Sequence, residues 1–248
     1  MIIYGRNAVA EALRGRRADS VSGVWASAGA ARERWLIAAQ ARGVQVRIVS
    51  AQEIERRCGS SAHQGVCAQA GDFPYASADQ LLAASEPLLV ALDQVQDPQN
   101  LGSICRTAEC SGATGVVIPQ RRAADVTAAV CKASAGAVEH VAVAQVRNVA
   151  DFLADARRAG CWCYGASADT TAQRAPVPYD APDYAGAGVV LVLGSEGSGL
   201  RPRVAKACDE LIALPLLGRV GSLGVSAAAA AILYEILQRR EADLDNAP

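Results

Sequence analysis

Between residues 88 and 240 the apolar positions fall into short blocks separated by longer amphipathic stretches. Leu88–Leu92 is a continuous apolar run, Gln99–Ser111 has helical spacing and is stopped by Gly112, and Gly115–Ile118 is a second apolar run closed by Pro119. Strand, helix and strand in about 30 residues make a βαβ unit. The alternation continues with a helix over Asp125–Ser134, a strand over Val138–Val143 and a helix over Val149–Ala159. Strands over Trp162–Ala166 and Val189–Leu193 follow, then a helix over Pro202–Cys208, a strand over Leu211–Leu214 and a helix from Val225 to Arg240. Short, wholly apolar strands alternating with helices predict an α/β fold with a parallel sheet covered on both faces. Such sheets take ligands at the carboxyl ends of their strands, which directs attention to the loops after Leu92, Leu193 and Leu214.

The first part of the chain has a smaller period. A short helix around Ala8–Leu13 ends in the basic run Arg14-Gly15-Arg16-Arg17, and a strand over Val21–Trp25 follows. Then come a helix from about Ala30 to Ala41 stopped by Gly43, an alternating strand over Val44–Val49, a helix over Ala51–Arg57 and a strand over Gly65–Ala70. From Gly71 to Pro87 the chain turns polar around a short helix at Leu81-Leu82. The pattern predicts a small α/β domain over residues 1–71, a linker over 72–87 and a larger α/β domain over 88–248.

Composition sharpens this picture. Half of the 248 residues are hydrophobic (51%) but only 4% are aromatic, and 52 are alanine, so the core is built from small aliphatic side chains. Disorder is excluded on that ground. No stretch approaches the ~18–20 uninterrupted apolar residues of a membrane span, and the start lacks the apolar h-region of a signal peptide, so a soluble, cytoplasmic protein is expected. The eight cysteines form no paired Cys-x-x-Cys clusters, and His63 and His140 lack metal-ligand spacing. Both facts argue against a metal site and a disulfide framework, and favour reduced, buried thiols that fill space. The net charge of -1 hides a split: residues 1–71 carry 10 arginines against 5 acids, whereas residues 72–248 carry 14 bases against 20 acids. Of the 24 basic residues 22 are arginine, the side chain suited to phosphate, although an arginine-biased genome produces the same skew.

Each of the three loops has its own chemistry. The first, Asp93 to Thr107, holds Asn100 and, six residues on, Arg106; a helix cap and a surface cation are the plain structural reading of the pair. In the second, Gly194-Ser195-Glu196-Gly197-Ser198-Gly199 lets the backbone turn sharply and approach a ligand. Its order is G-x-x-G-x-G rather than the dinucleotide order, and Glu196 repels phosphate, so a ligand is expected to be cationic or uncharged at its nearest point. The third, Pro215 to Ser226, combines glycine, serine and leucine between strand and helix, a cradle of backbone groups and apolar walls for a small molecule.

Taken together and in this order, N-L-G-S-I-C-R-T (100–107), L-G-S-E-G-S-G-L (193–200) and L-P-L with S-L-G-V-S (214–216 and 222–226) resemble the three motifs of the SpoU family of the SPOUT superfamily, RNA ribose 2′-O-methyltransferases. The similarity spans about residues 86–240. Tyr4-Gly5-Arg6-Asn7-Ala8-Val9 and His63-Gln64-Gly65 are similar to the ribosomal-protein-like substrate-binding domain of the family's large-subunit rRNA guanosine methyltransferases. What the resemblance implies is a C-terminal deep trefoil knot, a homodimer, and transfer of a methyl group from S-adenosylmethionine to a ribose 2′-hydroxyl, most closely of a guanosine in 23S rRNA, without a metal. It implies Asn100, Arg106, Glu196 and Ser222 as the functional polar residues, and Leu193, Gly194, Leu214, Ser222, Leu223 and Val225 as the methyl donor's pocket. A tRNA substrate is the close variant. One position departs: the family's S-L-N-V-S is Ser222-Leu223-Gly224-Val225-Ser226 here, so a carboxamide is replaced by hydrogen. That departure motivates the competing reading of an RNA-binding or ribosome-assembly factor with little turnover, and an unrelated nucleotide-binding α/β enzyme is the third.

Overall fold

In a computed structural model, which describes residues 1–168 and 174–246, the chain forms two compact units. In chain order the elements begin with β1 (Ile2–Tyr4), α1 (Arg6–Ala12), β2 (Gly23–Ala26), α2 (Arg34–Ala41), β3 (Val46–Ile48), α3 (Ala51–Cys58) and β4 (Val66–Gln69). They continue with α4 (Ala78–Leu82), β5 (Leu88–Asp93), α5 (Pro98–Cys110), β6 (Gly115–Pro119), α6 (Ala128–Ala133), β7 (Ala142–Val146), α7 (Val149–Arg158) and β8 (Cys161–Ala166). The last are β9 (Val177–Pro178), β10 (Gly188–Gly194), α8 (Pro202–Ala207), β11 (Glu210–Ala213) and α9 (Val225–Asn246).

One unit comprises residues 1–74 together with 125–140. Its sheet has the order β1-β4-β2-β3; β4 pairs antiparallel with both neighbours and β2 runs parallel to β3. Ile3, Val24 and Val66 from the strands, Val9, Leu36 and Ile54 from the helices, and Leu13 at the end of α1 are buried in its core. Residues 125–140, which the sequence pattern assigns to the larger domain, pack in this unit through α6 and a 3-10 turn at Ala137–Glu139. At their centre lies a buried ion pair: Arg17 and Glu139 are 2% and 0% exposed. Arg17 Nε donates to Glu139 Oε2 at 3.0 Å, Nη2 bonds Glu139 Oε1, and Nη2 also lies 3.3 Å from Cys131 Sγ. Burial pulls the Arg17 pKa down, but the bond to Glu139 and its charge outweigh that and hold the guanidinium above its ordinary value.

The second unit, residues 75–124 and 141 onward, holds a parallel sheet in the order β7-β6-β5-β10-β8-β11-β9. Every residue of β5 and β6 is buried, as the unbroken apolar runs require for strands covered on both faces. From β5 the chain proceeds outward through β6 and β7, then returns to fill the other side, so strand order reverses between β5 and β10. Gly194 stands opposite Asp93 at that switch, the place where open α/β sheets leave a crevice.

Three expected elements move. The helix of 125–134 begins only at Ala128, and the strand expected over Val138–Val143 is a 3-10 turn followed by β7 from Ala142. Positive φ at Ala135 (51°) and Gly136 (90°) breaks the run, and Glu139 turns inward to Arg17. The helix expected from Ala30 is a 3-10 turn with α2 starting at Arg34, while β1 and β9 are additional strands. Six cysteines are buried, Cys58 is half-buried and Cys110 exposed; burial pushes the Cys67 and Cys131 thiols up to about 11. Among the described residues no helix is long and apolar enough to cross a membrane.

Candidate active site

The loop after β5 runs into α5, and its chemistry begins with a cap. Both carboxylate oxygens of Asp97 accept backbone hydrogen bonds, from Gln99 N at 3.1 Å and Asn100 N at 3.2 Å, and Pro98 supplies the first helical residue. Asn100 is thereby fixed in the first turn and is half-buried. Leu101, Ile104, Cys105 and Ala108 form the buried stripe of α5, which leaves Arg106 exposed. At 1.5 Å per residue, Arg106 lies about 9 Å further along the helix axis than Asn100. The helix packs against α9.

The loop after β10 folds back on its own strand. Leu193 is buried, and a Cβ built on Gly194 would lie 2.1 Å from the carbonyl carbon of Gly199, so only glycine fits where the returning backbone crosses. Ser195 and Gly199 exchange backbone hydrogen bonds (3.1 and 2.9 Å), with Gly197 and Gly199 at positive φ closing the turn. The base of the loop is tied to β5: Asp93, fully buried, accepts from Arg201 N at 2.9 Å through Oδ2 and from Arg201 Nε at 2.8 Å through Oδ1, and Arg201 Nη2 lies 2.6 Å from Oδ1. At the exposed tip of the loop, Glu196 reaches the start of α9, where Val225 N donates to its Oε1 at 3.4 Å. A carboxylate there complements the positive end of a long helix.

The third loop leaves β11 at Leu214, which is half-buried, and residues 215–223 are exposed. Leu217 is 99%, Val220 75% and Leu223 53% exposed, and Ser222 is exposed as well. Gly224 has φ 76°, and a Cβ on it would lie 3.4 Å from Glu196 Oε1, an ordinary contact. Among the residues singled out from the sequence, a hydrogen bond joins Glu196 to Val225, next to Gly224. Asn100 and Arg106 stand apart from that contact on α5, and Leu193 and Gly194 end β10 beside Asp93. Asp93 and Arg201 escaped the sequence reading. The available signal was the acid that closes an otherwise apolar strand. Among the described residues no group of three or more His, Cys, Asp or Glu side chains could hold a metal ion. The three loops offer a carboxylate, a carboxamide, a guanidinium, backbone amides and exposed apolar side chains, groups suited to binding and orienting a ligand.

The chain as a whole is similar to known proteins. Residues 87–234 match the SpoU rRNA Methylase family, and residues 2–76 match a domain described as RNA 2′-O ribose methyltransferase substrate binding. A putative TrmH family tRNA/rRNA methyltransferase of Bacillus subtilis, YacO, is 36% identical over 96% of this chain and 95% of its own. An AdoMet-bound rRNA methyltransferase from Sinorhizobium meliloti superposes with TM-score 0.79 at 27% identity, covering 96% of this chain and 86% of that one. A putative RNA methyltransferase of the TrmH family from Porphyromonas gingivalis superposes with TM-score 0.73 at 28% identity, covering 96% and 89%.

Proposed function

Because this chain belongs to the SpoU rRNA methylase family, we propose that it methylates the ribose 2′-hydroxyl of a guanosine in large-subunit (23S) rRNA, using S-adenosylmethionine. The RNA methyltransferase activity is that of the family; the target is our reading. The observation that carries it is the N-terminal unit, matched as a substrate-binding domain and bearing 10 arginines against 5 acids over residues 1–71. Phosphate contacts supply most non-specific RNA affinity, and a basic appendage of this kind suits a large structured RNA. The family's tRNA enzymes commonly lack such a domain. We further read the protein as a cytoplasmic homodimer with the knotted C-terminal topology of its family.

The residues present fit the methyl donor. Backbone groups at Leu193, Gly194, Leu214 and Val225, with Ser222 and the exposed Leu223, would hold it, and the Glu196 carboxylate suits a cationic ligand better than a phosphate. When bound, the donor supplies an electrophilic methyl on a sulfonium. The chain's own task is to align the 2′-hydroxyl and help remove its proton. Arg106, exposed on α5, would grip an RNA phosphate; a guanidinium is a poor base, so the proton passes to a phosphate oxygen or a water that Arg106 holds. Asn100, fixed in the first turn, would orient the ribose, and Glu196 ties the second loop to α9.

Gly224 favours a second reading, an assembly factor with weak turnover, since the family's carboxamide is missing there. One assay separates the readings: labelled donor with unmodified 23S rRNA, 16S rRNA and tRNA, followed by nucleoside analysis. The expected product is 2′-O-methylguanosine in 23S rRNA. Label in tRNA alone would move the target, and donor binding without transfer to any RNA would favour the assembly factor.

A further inference from the structure

We propose that Asp93 and Arg201 are a positioning pair that presets the second loop for the methyl donor, an inference that rests on the methyltransferase reading above. Three contacts to a single carboxylate join the end of β5 to the end of the loop. Asp93 is fully buried, whereas the Arg201 side chain is 40% exposed, so the carboxylate depends on Arg201 far more than the reverse. Between these anchors lie Gly194, opposite Asp93 in the sheet, the turn closed by Ser195 and Gly199, and Leu200, which packs against the core. The crossing at Gly194 leaves the returning backbone no room to shift inward. Outward movement is what Arg201 resists, through its backbone N–H and its guanidinium together. From the tip of this fixed loop Glu196 meets Val225 at the start of α9. One carboxylate at the end of β5 thus sets the second loop and, through Glu196, its junction with the third. Neither Asp93 nor Arg201 needs to touch the reacting atoms.

The test uses the full-length chain. Removing one partner alone would strand a buried charge, so Asp93→Asn, which keeps the shape of the carboxylate, is combined with Arg201→Gln, a shorter neutral side chain, and both charges are removed. Arg201→Lys is made separately; it retains the charge but replaces the planar fork with a point donor. Donor affinity is measured by calorimetry with S-adenosylmethionine, alongside the rRNA KM, turnover at saturating donor, and thermal unfolding. The double variant is expected to bind the donor ~10-fold or more weakly, as loosening of a preset loop implies. Its rRNA KM should stay within ~2-fold of the parent's, a split that general loss of structure would not produce. Arg201→Lys is expected to fall between the two, and it decides the matter if the double variant fails to fold. Parental donor affinity in a folded double variant, or in Arg201→Lys when only that variant folds, would overturn the proposal. A parent that binds no S-adenosylmethionine would instead sink the reading on which the proposal rests.

Discussion

Glu196 and Gly224 meet at a point where one side chain decides what the backbone can offer. The φ of 76° at Gly224 is in the left-handed region that asparagine tolerates better than other side chains, and the built Cβ finds Glu196 Oε1 at 3.4 Å without a clash. A carboxamide at this position could donate to that oxygen. Gly224→Asn is therefore expected to raise donor affinity or single-turnover methylation by ~10-fold, the worth of one recovered hydrogen bond at ~1–1.5 kcal/mol. Activity lost on restoring asparagine would mean that the loop is built around glycine. Arg106 presents the opposite case, an exposed side chain whose removal leaves packing untouched. Arg106→Ala should change unfolding free energy by less than ~0.5 kcal/mol and leave donor binding intact, yet lower methyl transfer by ~100-fold through misplacement of the RNA. Arg106→Lys should recover only part, because the bidentate fork is lost. Full activity of the alanine variant would reduce Arg106 to a surface cation.

Elements were legible in the sequence where local signals and long-range packing agree. The strands β5, β6 and β10 are unbroken apolar blocks because both faces are covered, and α5 shows in its helical spacing and the Gly112 stop, although its cap is Asp97 and Asn100 lies in the first turn. Asp97→Ala removes the acceptor of two backbone bonds and should cost ~1 kcal/mol in denaturant unfolding, with a larger effect on activity if Asn100 shifts with the first turn. Stability unchanged by that substitution would show that water or a neighbour caps the helix equally well. Where the reading failed, the deciding interaction was distant. Val138 and Val141 have the look of a strand, but Glu139 between them is drawn to Arg17, 122 residues away, and the backbone turns to let it reach. The strands β1 and β9 are too short to carry a period of their own and exist because β4 and β11 offer them an edge. The candidate site shows the same division: the glycine-rich loops stood out by composition, whereas the tie between Asp93 and Arg201 spans 108 residues and left only the acid at the end of β5 as a local trace.

At the level of the whole molecule, sequence domains and packed units differ. Residues 125–140 lie within the stretch matched to the methylase family, yet they pack with residues 1–74, and the Arg17–Glu139 pair is the buried centre of that packing. A chain cut to residues 72–248 would keep Glu139 and Cys131 but lose Arg17, leaving the Glu139 carboxylate without its cationic partner. The substrate-binding unit is therefore not expected to be separable at residue 71. Point variants test this without truncation, because breaking a buried pair and replacing it have opposite consequences. Arg17→Met alone strands the Glu139 carboxylate and should cost ~3–5 kcal/mol, whereas Arg17→Met with Glu139→Leu removes both charges and should recover most of that loss. Trp25 and Trp35 lie in the affected unit and Trp162 in the other, so denaturant unfolding followed in chains retaining either set of tryptophans reports each unit separately. The single variant should lower the midpoint read by Trp25 and Trp35 first, and RNA affinity should fall with it. Equal stability of the single and double variants would show that Arg17 and Glu139 contribute no more as a pair than as separate side chains, and that residues 125–140 are held by their apolar contacts alone.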